Sequence, residues 1–333
     1  MMNDENEPTF GLATPCSGIS VPAVIAQAGQ RARRRFLEFF TAHIRNRSTR
    51  TAYAHACGLF LSWCDERRVP LERIEPMLVA GYVEMLMQRL SSPTVKQHLA
   101  AIRMMFDWLV VGQIVPMNPA SAVRGPTYVV KKGKTPVLAP SQARQLLDGI
   151  PIMAAESGSP CVTGLRDRAL IGVMVYTFAR VSAVVAMNVE DYWRNGKRWF
   201  IRMHEKNGKH HEVVAHHNAE AYLDAYLYAA GIADQHHSPL FRTGDGRSGR
   251  LTVNRLSRHD ALRMIKRRAA AADLPRSTCC HTFRATGITA YLSNGGTLEH
   301  AQRIAAHESS RTTSLYDRRS DDITLDEIER IIL

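Results

Sequence analysis

Long hydrophobic runs are missing from this sequence. The longest mainly apolar run covers residues 169–179 and is interrupted by Gly172. A helix that spans a bilayer needs roughly 20 predominantly apolar residues, so we exclude such a helix. The chain starts with Asp4, Glu5 and Glu7 where a secretory signal peptide would carry Lys or Arg. We therefore expect a cytoplasmic protein that is not exported.

Cysteine motifs are also missing. The six cysteines form no Cys-X-X-Cys pair and no spacing typical of a zinc site. Cys57 and Cys64 lie seven residues apart on a predicted helix, which favours burial for both. The adjacent Cys279 and Cys280 are poorly suited to a disulfide, and all six cysteines fit a reducing cytosol. The phosphate-binding pattern Gly-X-X-X-X-Gly-Lys-Ser/Thr does not occur either.

Acidic residues are scarce relative to basic ones. The 333-residue chain has 43 Lys and Arg against 31 Asp and Glu, which gives a formal charge of +12. Summed positive charge attracts phosphate before contact, so a polyanion is the leading partner. Charge alone puts nucleic acid only slightly ahead of a basic protein with an ordinary soluble surface. The length predicts about two domains of ~150 residues, and 45% apolar residues exclude general disorder.

Two segments lack sustained helical or strand periodicity. Residues 1–28 mix small residues with Pro and Gly, which predicts a flexible tail with a short helix near Val24. Residues 126–136 contain Pro126 and the basic stretch KKGK at 131–134, which predicts an interdomain linker. Such a run is equally typical of a solvated linker and of a segment that lies along a phosphate backbone.

Residues 29–125 show helical periodicity without strand-like alternation. Apolar residues recur three and four positions apart, which is typical of amphipathic helices. Ser48 or Thr49 can cap the second helix. We predict a small all-α bundle with helices near 36–44, 49–64, 75–90 and 92–109.

Residues 137–333 are also mainly helical, with one convincing strand signal. Apolar Trp199, Ile201 and Met203 alternate with more polar neighbours, and residues 212–215 can return as the partner strand. The Asn-Gly pair between them favours a tight hairpin turn. The sequence therefore predicts a second domain of helices with a small antiparallel β-sheet.

Four separated elements in this second half carry residues suited to phosphate chemistry. Each has a plain explanation by itself, because a solvated arginine, a turn lysine, a chance His-X-X-Arg and a packed tyrosine are all common. Their order and spacing are informative only as a set. The elements are Arg180, Lys206 in the predicted hairpin, His281 with Arg284 on one helix face, and His307 followed nine residues later by Tyr316.

This set resembles the tyrosine recombinase (phage integrase) family, including its Xer-like members. The resemblance covers roughly residues 30–330. The family's signature region is similar to HTFRATGI at 281–288, Gly-Gly at 295–296 and AHESSRTTSLY at 306–316. In the first half, 49–63, the helix at 94–109 and Asn-Pro-Ala at 118–120 resemble the core-binding domain.

The resemblance implies a fold and a catalytic set. The fold is mainly α, with a core-binding SAM-like bundle over 29–125 and a mainly helical catalytic domain with a small sheet over 137–333. The Thr-Gly-Leu-Arg sequence ending at Arg166 imitates the family's first arginine, but it belongs to the start of an earlier helix and lies too far from the hairpin. The implied catalytic residues are Arg180, Lys206, His281, Arg284, His307 and Tyr316.

The expected chemistry explains why these residue types are needed. Two arginines can hold the non-bridging oxygens of a DNA phosphate while Tyr316 attacks phosphorus. His281 would accept or orient the tyrosine proton, and His307 would add a hydrogen bond to the phosphate. Lys206 would protonate the departing 5′ oxygen. The resulting 3′-phosphotyrosyl link stores the bond energy for rejoining, so no cofactor is expected.

The sequence departs from the family pattern at three places. Ala183 stands where an acidic residue usually follows the first arginine, and Glu190 or Glu308 are candidate substitutes. Phe178 and Ala306 stand where glycine is common. We expect these changes to affect efficiency more than identity.

We predict a site-specific DNA recombinase that clamps duplex DNA, acts as a tetramer through a Holliday junction and serves a mobile element or plasmid. The amphipathic segment at 325–332 would join protomers, and accessory proteins are an open alternative. Phosphate contacts are predicted for Arg47, Arg50, Lys96, Arg103 and Lys132.

Two alternative functions and one alternative site remain open. A type IB topoisomerase would share the phosphotyrosyl chemistry, and a non-catalytic DNA-binding relative would fit Ala183. Five histidines near the hairpin suggest a metal site, but no Cys or carboxylate completes a ligand set, so a DNA-facing hairpin is favoured. These histidines are His204, His210, His211, His216 and His217.

Overall fold

The computed structural model describes residues 19–129, 133–155, 157–204, 210–246 and 248–317. Within these ranges the chain is mainly helical with small antiparallel sheets, so the predicted fold class is confirmed. The chain divides after Val129 into two compact units. None of the described helices is long and apolar enough to cross a membrane.

The first unit is an all-α bundle around one apolar core. Its helices α3 and α5 pack against each other, and α1, α2 and α4 cover them. A π-helical turn at Phe39–His43 extends α2 and buries both Phe39 and Phe40. The helices are α1 Ala23–Gln27, α2 Gln30–Glu38, α3 Arg47–Glu66, α4 Pro76–Met87 and α5 Ser92–Val111.

Two details of this unit correct the sequence analysis. The short helix near Val24 is present, but Val24 and Ile25 are buried in the core, so this part of the predicted tail is folded. Helix α3 starts earlier than predicted because the side chain of Asn46 accepts hydrogen bonds from the N–H groups of Ser48 and Thr49.

The predicted burial of two cysteines in α3 is confirmed. Cys57 and Cys64 are both completely buried in the core of the first unit. Burial raises the pKa of the Cys64 thiol to about 12, so the neutral thiol is the stable form. Both cysteines therefore serve as small apolar core residues.

The second unit has helix α7 at its centre. Apolar side chains around most of its circumference are buried against α9 and α11, which pack on it. Helix α6 begins at Pro140, because the fixed φ of proline suits the first helical position and its missing N–H is not needed there. The helices are α6 Pro140–Asp148, α7 Val162–Tyr176, α8 Val181–Ala186, α9 His217–Ala230, α10 Arg258–Ala271, α11 Cys280–Ser293, α12 Leu298–Ile304 and α13 Ser310–Ser314.

The sheet is larger than predicted, and a second one is present. Strands β1 Tyr192–Asn195, β2 Arg198–His204 and β3 His210–Val214 pair antiparallel in that order, whereas β4 Arg242–Gly244 and β5 Leu251–Arg255 form a separate pair. The alternation in β2 is confirmed, because Ile201 and Met203 are buried. Strands as short as β1 and β4 offer too few residues for alternation to be recognised.

A small third cluster packs the C-terminal part of the described chain against α11. It contains Phe178, Ala285, Ile288, Leu292, Ala301, Ala305 and Tyr316. Gly287 permits the close crossing of α11 and α7, because a Cβ atom at this position would lie 2.1 Å from the carbonyl oxygen of Val175. This packing brings α11, α12 and α13 together around Tyr316.

Candidate active site

Helix α11 holds His281 and Arg284 one turn apart. Arg284 is 1% exposed and donates hydrogen bonds to the carbonyl oxygens of Phe178 and, at 2.7 Å, Ala305. A buried guanidinium needs such partners because its positive charge has lost its water. Arg284 therefore ties the loop before α8 to the loop after α12.

The two carbonyls that Arg284 binds lie at or beside residues with unusual backbone angles. Phe178 has φ 56° and Ala306 has φ 48°, both in the left-handed region that favours glycine. These are the two positions at which the sequence departs from a common family glycine. The backbone therefore keeps the turn that glycine would adopt without strain.

Tyr316 lies two residues after the last residue of α13 and faces α11. Its hydroxyl oxygen lies 2.6 Å from Nε2 of His281, which is hydrogen-bonding distance. The tyrosine ring stacks on the ring of His307 at an interplanar angle of 10° and a centroid distance of 5.8 Å. The side chain of Thr289 donates a hydrogen bond to the main-chain carbonyl of Tyr316 at 2.9 Å.

Both histidines are held in the neutral form. Burial lowers the pKa of His307 to about 3, with the positive charges of Arg284 and Arg180 acting in the same direction. Burial, Arg284 and Arg180 also lower the pKa of His281 below its usual value. A neutral His281 can accept a proton from the Tyr316 hydroxyl.

Arg180 is the N-terminal flanking residue of α8 and is half-buried. Its charge reaches His281 and His307, so the second unit brings Arg180, His281, Arg284, His307 and Tyr316 into one site. The site can hold an anionic group between its two arginines and beside a second imidazole. It also offers a nucleophile, because a phenol lies next to a neutral imidazole.

The remaining candidate residues lie elsewhere or outside the described ranges. Lys206 is outside them, between the strand ends His204 and His210. Ala183 is buried on α8, and Glu190 pairs with His237 at 2.9 Å.

Arg166 has a different environment from Arg180. Its guanidinium is buried, lies 2.6 Å from the carboxylate of Asp167 and donates to the carbonyl of Arg242 at 2.8 Å. The Asp167 carboxylate also accepts a hydrogen bond from the guanidinium of Arg268 at 2.8 Å. The sequence did not reveal this ion-pair network, because adjacent side chains on a helix do not normally face each other and Arg268 is distant along the chain.

The histidines near the hairpin have separate contacts. His204 lies 3.1 Å from the carboxylate of Asp191, and Nε2 of His211 lies 2.9 Å from the carbonyl oxygen of Ile304. His216 stacks on Tyr176 at 4.2 Å. Over the described ranges, His, Cys, Asp and Glu form no group of three or more that could hold a metal ion.

Comparison with known protein families assigns both units. The model of the Phage integrase family matches residues 137–322, more than half of the chain. The model of the phage integrase N-terminal SAM-like domain matches residues 35–112. The chain belongs to the phage integrase family. It is a tyrosine recombinase, an enzyme that breaks and rejoins DNA strands.

Individual relatives agree with this membership. The tyrosine recombinase XerD of Chlorobaculum tepidum is 26% identical over 289 residues, covering 84% of this chain and 89% of that protein. The tyrosine recombinase XerC of Myxococcus xanthus is 24% identical over 308 residues, covering 89% and 95%.

Solved integrase structures share the fold. A XerH recombinase in a pre-cleavage complex with its difH substrate aligns at a TM-score of 0.63 and 18% identity, over 85% of this chain and 79% of that one. A lambda integrase tetramer bound to a Holliday junction aligns at a TM-score of 0.64 and 18% identity, over 88% and 79%.

The basic residues predicted to touch DNA differ in their surroundings within the recombinase. Arg47 and Lys96 are exposed on α3 and α5. Arg50 donates to the carbonyl of Ile44 at 2.9 Å. Arg103 donates to the carbonyls of Ala120, at 3.0 Å, and Val123, and Lys132 lies outside the described residues.

Proposed function

We propose that this recombinase opens one DNA strand at a time by attack of the Tyr316 hydroxyl on a backbone phosphorus. The observation that carries the proposal is the 2.6 Å contact between the Tyr316 hydroxyl and Nε2 of His281. A phenol has an ordinary pKa of about 10, so its attack needs a neighbour that takes the proton. The neutral imidazole of His281 is such a neighbour.

The bond changes balance without an outside co-reactant. The Tyr316 oxygen forms a bond to phosphorus, its proton passes to His281, and the bond from phosphorus to the 5′ oxygen breaks. The product is a 3′-phosphotyrosyl enzyme and a free 5′ hydroxyl. The reverse attack by a 5′ hydroxyl from the partner DNA reseals the strand and releases Tyr316.

The arginines and the remaining cations act on the phosphate. Arg180 and Arg284 hold the non-bridging oxygens, where negative charge grows in the transition state. His307 donates a hydrogen bond to the same phosphate. Lys206 supplies the proton to the leaving 5′ oxygen.

The first unit supplies affinity more than chemistry. Exposed Arg47 and Lys96 contact backbone phosphates, as does Lys132 of the linker. Arg50 and Arg103 each have N–H groups beyond those bound to main-chain carbonyls, and these would reach further phosphates.

The recombinase works as a self-associated tetramer on two DNA sites in the cytoplasm, in the service of a mobile element or plasmid. Support comes from the lambda integrase tetramer on a Holliday junction, which shares the fold. The amphipathic sequence at 325–332, which lies outside the described residues, would join neighbouring protomers. Removing residues 318–333 should leave DNA binding by the monomer and abolish tetramers on a synthetic four-way junction in native gels.

A nicked suicide substrate tests the proposal. DNA sites would first be selected from a random pool with the Tyr316→Phe variant, which retains binding. On a selected site with a nick beside the cleavage position, the wild-type protein should become covalently trapped and Tyr316→Phe should not. Binding without any trapping would overturn the catalytic proposal in favour of a DNA-binding relative. Relaxation of any supercoiled plasmid without recombinants would indicate a topoisomerase.

A further inference from the structure

Thr313 contacts both His307 and Tyr316. Its side chain is completely buried on α13, and its hydroxyl oxygen lies 2.8 Å from Nδ1 of His307. Its main-chain carbonyl accepts the N–H of Tyr316 at 2.9 Å. One residue outside the predicted catalytic set therefore joins the imidazole to the segment that carries the nucleophile.

The direction of the Thr313–His307 hydrogen bond follows from the burial of the hydroxyl. Nδ1 of His307 is the hydrogen-bond partner that the described residues provide for this hydroxyl. If Nδ1 carried the ring proton and donated to Thr313, the buried hydroxyl proton would be left without an acceptor. A buried unsatisfied donor is costly, so the hydroxyl donates and Nδ1 accepts.

An acceptor at Nδ1 decides where the proton of a neutral imidazole sits. Neutral histidine carries one proton on either Nδ1 or Nε2, and the hydrogen bond at one nitrogen selects the state of the other. His307 is neutral because its pKa is far below its usual value. With Nδ1 as acceptor, Nε2 carries the proton and is a donor.

We propose that Thr313 is a positioning residue that keeps Nε2 of His307 protonated, so that His307 can donate a hydrogen bond to the phosphate attacked by Tyr316. The inference rests on the proposed function of the site. The hydroxyl acts through His307 and never touches DNA. Its carbonyl bond to Tyr316 fixes the distance between this donor and the nucleophile.

The tautomer can be measured directly in the DNA-free protein. With nitrogen-labelled histidine, long-range proton–nitrogen spectra distinguish a pyrrole-type nitrogen, which carries hydrogen, from a pyridine-type nitrogen. His307 should show the proton on Nε2. A proton on Nδ1 would overturn the proposal, even if the enzyme cleaves DNA normally.

Variants of Thr313 separate hydrogen bonding from packing. Thr313→Val keeps the shape and loses the hydroxyl, whereas Thr313→Ser keeps the hydroxyl. In single-turnover cleavage of the nicked substrate, Thr313→Val should be roughly 10- to 100-fold slower, below the loss of 10²–10³ for outright removal of a transition-state donor. Thr313→Ser should recover most of the rate, and DNA affinity should be unchanged in both.

The variant His307→Trp supplies the decisive control, because the indole ring has one nitrogen and therefore no choice of tautomer. In His307→Trp the indole hydrogen is fixed on its only nitrogen, so no Thr313 hydroxyl is needed to place it. Adding Thr313→Val to His307→Trp should change the rate by no more than about twofold, as for uncoupled sites. A loss in that background as large as in the wild type would assign Thr313 to packing alone. Failure of wild-type trapping would instead overturn the proposed function and leave the tautomer result standing.

Discussion

The main-chain N–H of Gly133 donates a hydrogen bond to the carbonyl oxygen of Leu315 at 3.0 Å. Leu315 immediately precedes Tyr316, whose own carbonyl is bound by Thr289 at 2.9 Å. The carbonyl oxygens of this nucleophile segment are therefore bound by a main-chain N–H from the start of the second unit and by a side-chain hydroxyl from α11. A linker that lies along DNA would act on the nucleophile through this contact.

Removing the Gly133 donor should loosen the nucleophile segment. Gly133→Pro lacks the N–H group, so hydrogen exchange of residues 313–317 should become faster, by up to about tenfold for a bond worth about 0.5–1.5 kcal/mol. Exchange measured by mass spectrometry on peptides covering this segment tests the expectation. Gly133→Ala keeps the donor and serves as the matched control. Equal acceleration in both variants would count against the contact.

Ala306→Gly should stabilise the protein. Ala306 has φ 48°, and a non-glycine residue in the left-handed region costs roughly 1–2 kcal/mol, part of which glycine loses again as chain entropy. We expect a gain of up to about 1 kcal/mol in the free energy of unfolding, measured by denaturant titration.

Phe178→Gly is the contrasting variant for this prediction. Phe178 has a similar angle, φ 56°, but its ring packs in the cluster around Tyr316. Loss of a buried phenylalanine side chain costs about 3–5 kcal/mol, far more than the relief of strain. Phe178→Gly should therefore destabilise. A destabilised Ala306→Gly protein would show that the left-handed angle is not the governing feature.

Substitution of Arg166 should mainly lower the stability of the protein, whereas substitution of Arg180 should mainly lower its cleavage activity. Arg166→Ala removes one of the two arginine partners of the buried Asp167 carboxylate and a donor to the carbonyl of Arg242, so unfolding should become easier by about 1–3 kcal/mol. Arg180→Ala should cost much less stability, while cleavage should fall by about 10²-fold or more. Thermal unfolding and suicide-substrate trapping measure the two effects. A stable Arg166→Ala protein that no longer cleaves would reverse the assignment of the first arginine.

Binding of DNA should take up protons near pH 6. In the free protein, burial and the charges of Arg284 and Arg180 lower the pKa values of both His281 and His307 below the ordinary value. A phosphate between the arginines offsets their charge and raises the pKa of His281, so a proton binds with the DNA, whereas burial keeps His307 neutral. Calorimetry in buffers of different ionisation enthalpy should detect this uptake at about pH 6. Uptake of the same size in the double variant His281→Asn with His307→Trp would contradict it.

The lowered histidine pKa values also make the stability of the folded protein depend on pH. An unfolded histidine binds a proton near its ordinary pKa of 6.5, whereas His307 in the folded protein does so only near pH 3. The unfolded state therefore binds more protons between these values. The stabilising contribution is complete above about pH 6.5 and is lost progressively as the pH falls.

Lys96 and Arg103 both lie on α5, but their substitution should have different effects on stability. Lys96 is exposed, so Lys96→Ala should weaken DNA binding and reduce the salt slope of log affinity by about 0.9 for one lost phosphate contact. Arg103 binds the carbonyls of Ala120 and Val123, so Arg103→Ala should also lower the stability of the first unit. Affinity at several salt concentrations and thermal unfolding test both. An unchanged salt slope in Lys96→Ala would remove it from the interface.

The spacing of residues along the chain was sufficient to predict the local features of this recombinase. His281 and Arg284 share a face of α11 because three residues make nearly one helical turn. Alternation located β2, and charge together with motif order pointed to phosphate chemistry on DNA. The cap at Asn46 and the short strand β1 were missed because single side chains and four-residue strands leave weak patterns.

Tertiary structure alone decided which groups meet. Thr313 reaches His307, Arg284 reaches the carbonyls of Phe178 and Ala305, and Gly133 reaches Leu315. The Gly133 and Phe178 contacts span more than a hundred residues, and all depend on how helices pack rather than on local propensity. The sequence by itself determined the helices and the chemical groups. Packing determined the tautomer, the burial that keeps both histidines neutral, and the 2.6 Å approach of Tyr316 to His281, because these depend on the removal of water by distant parts of the chain.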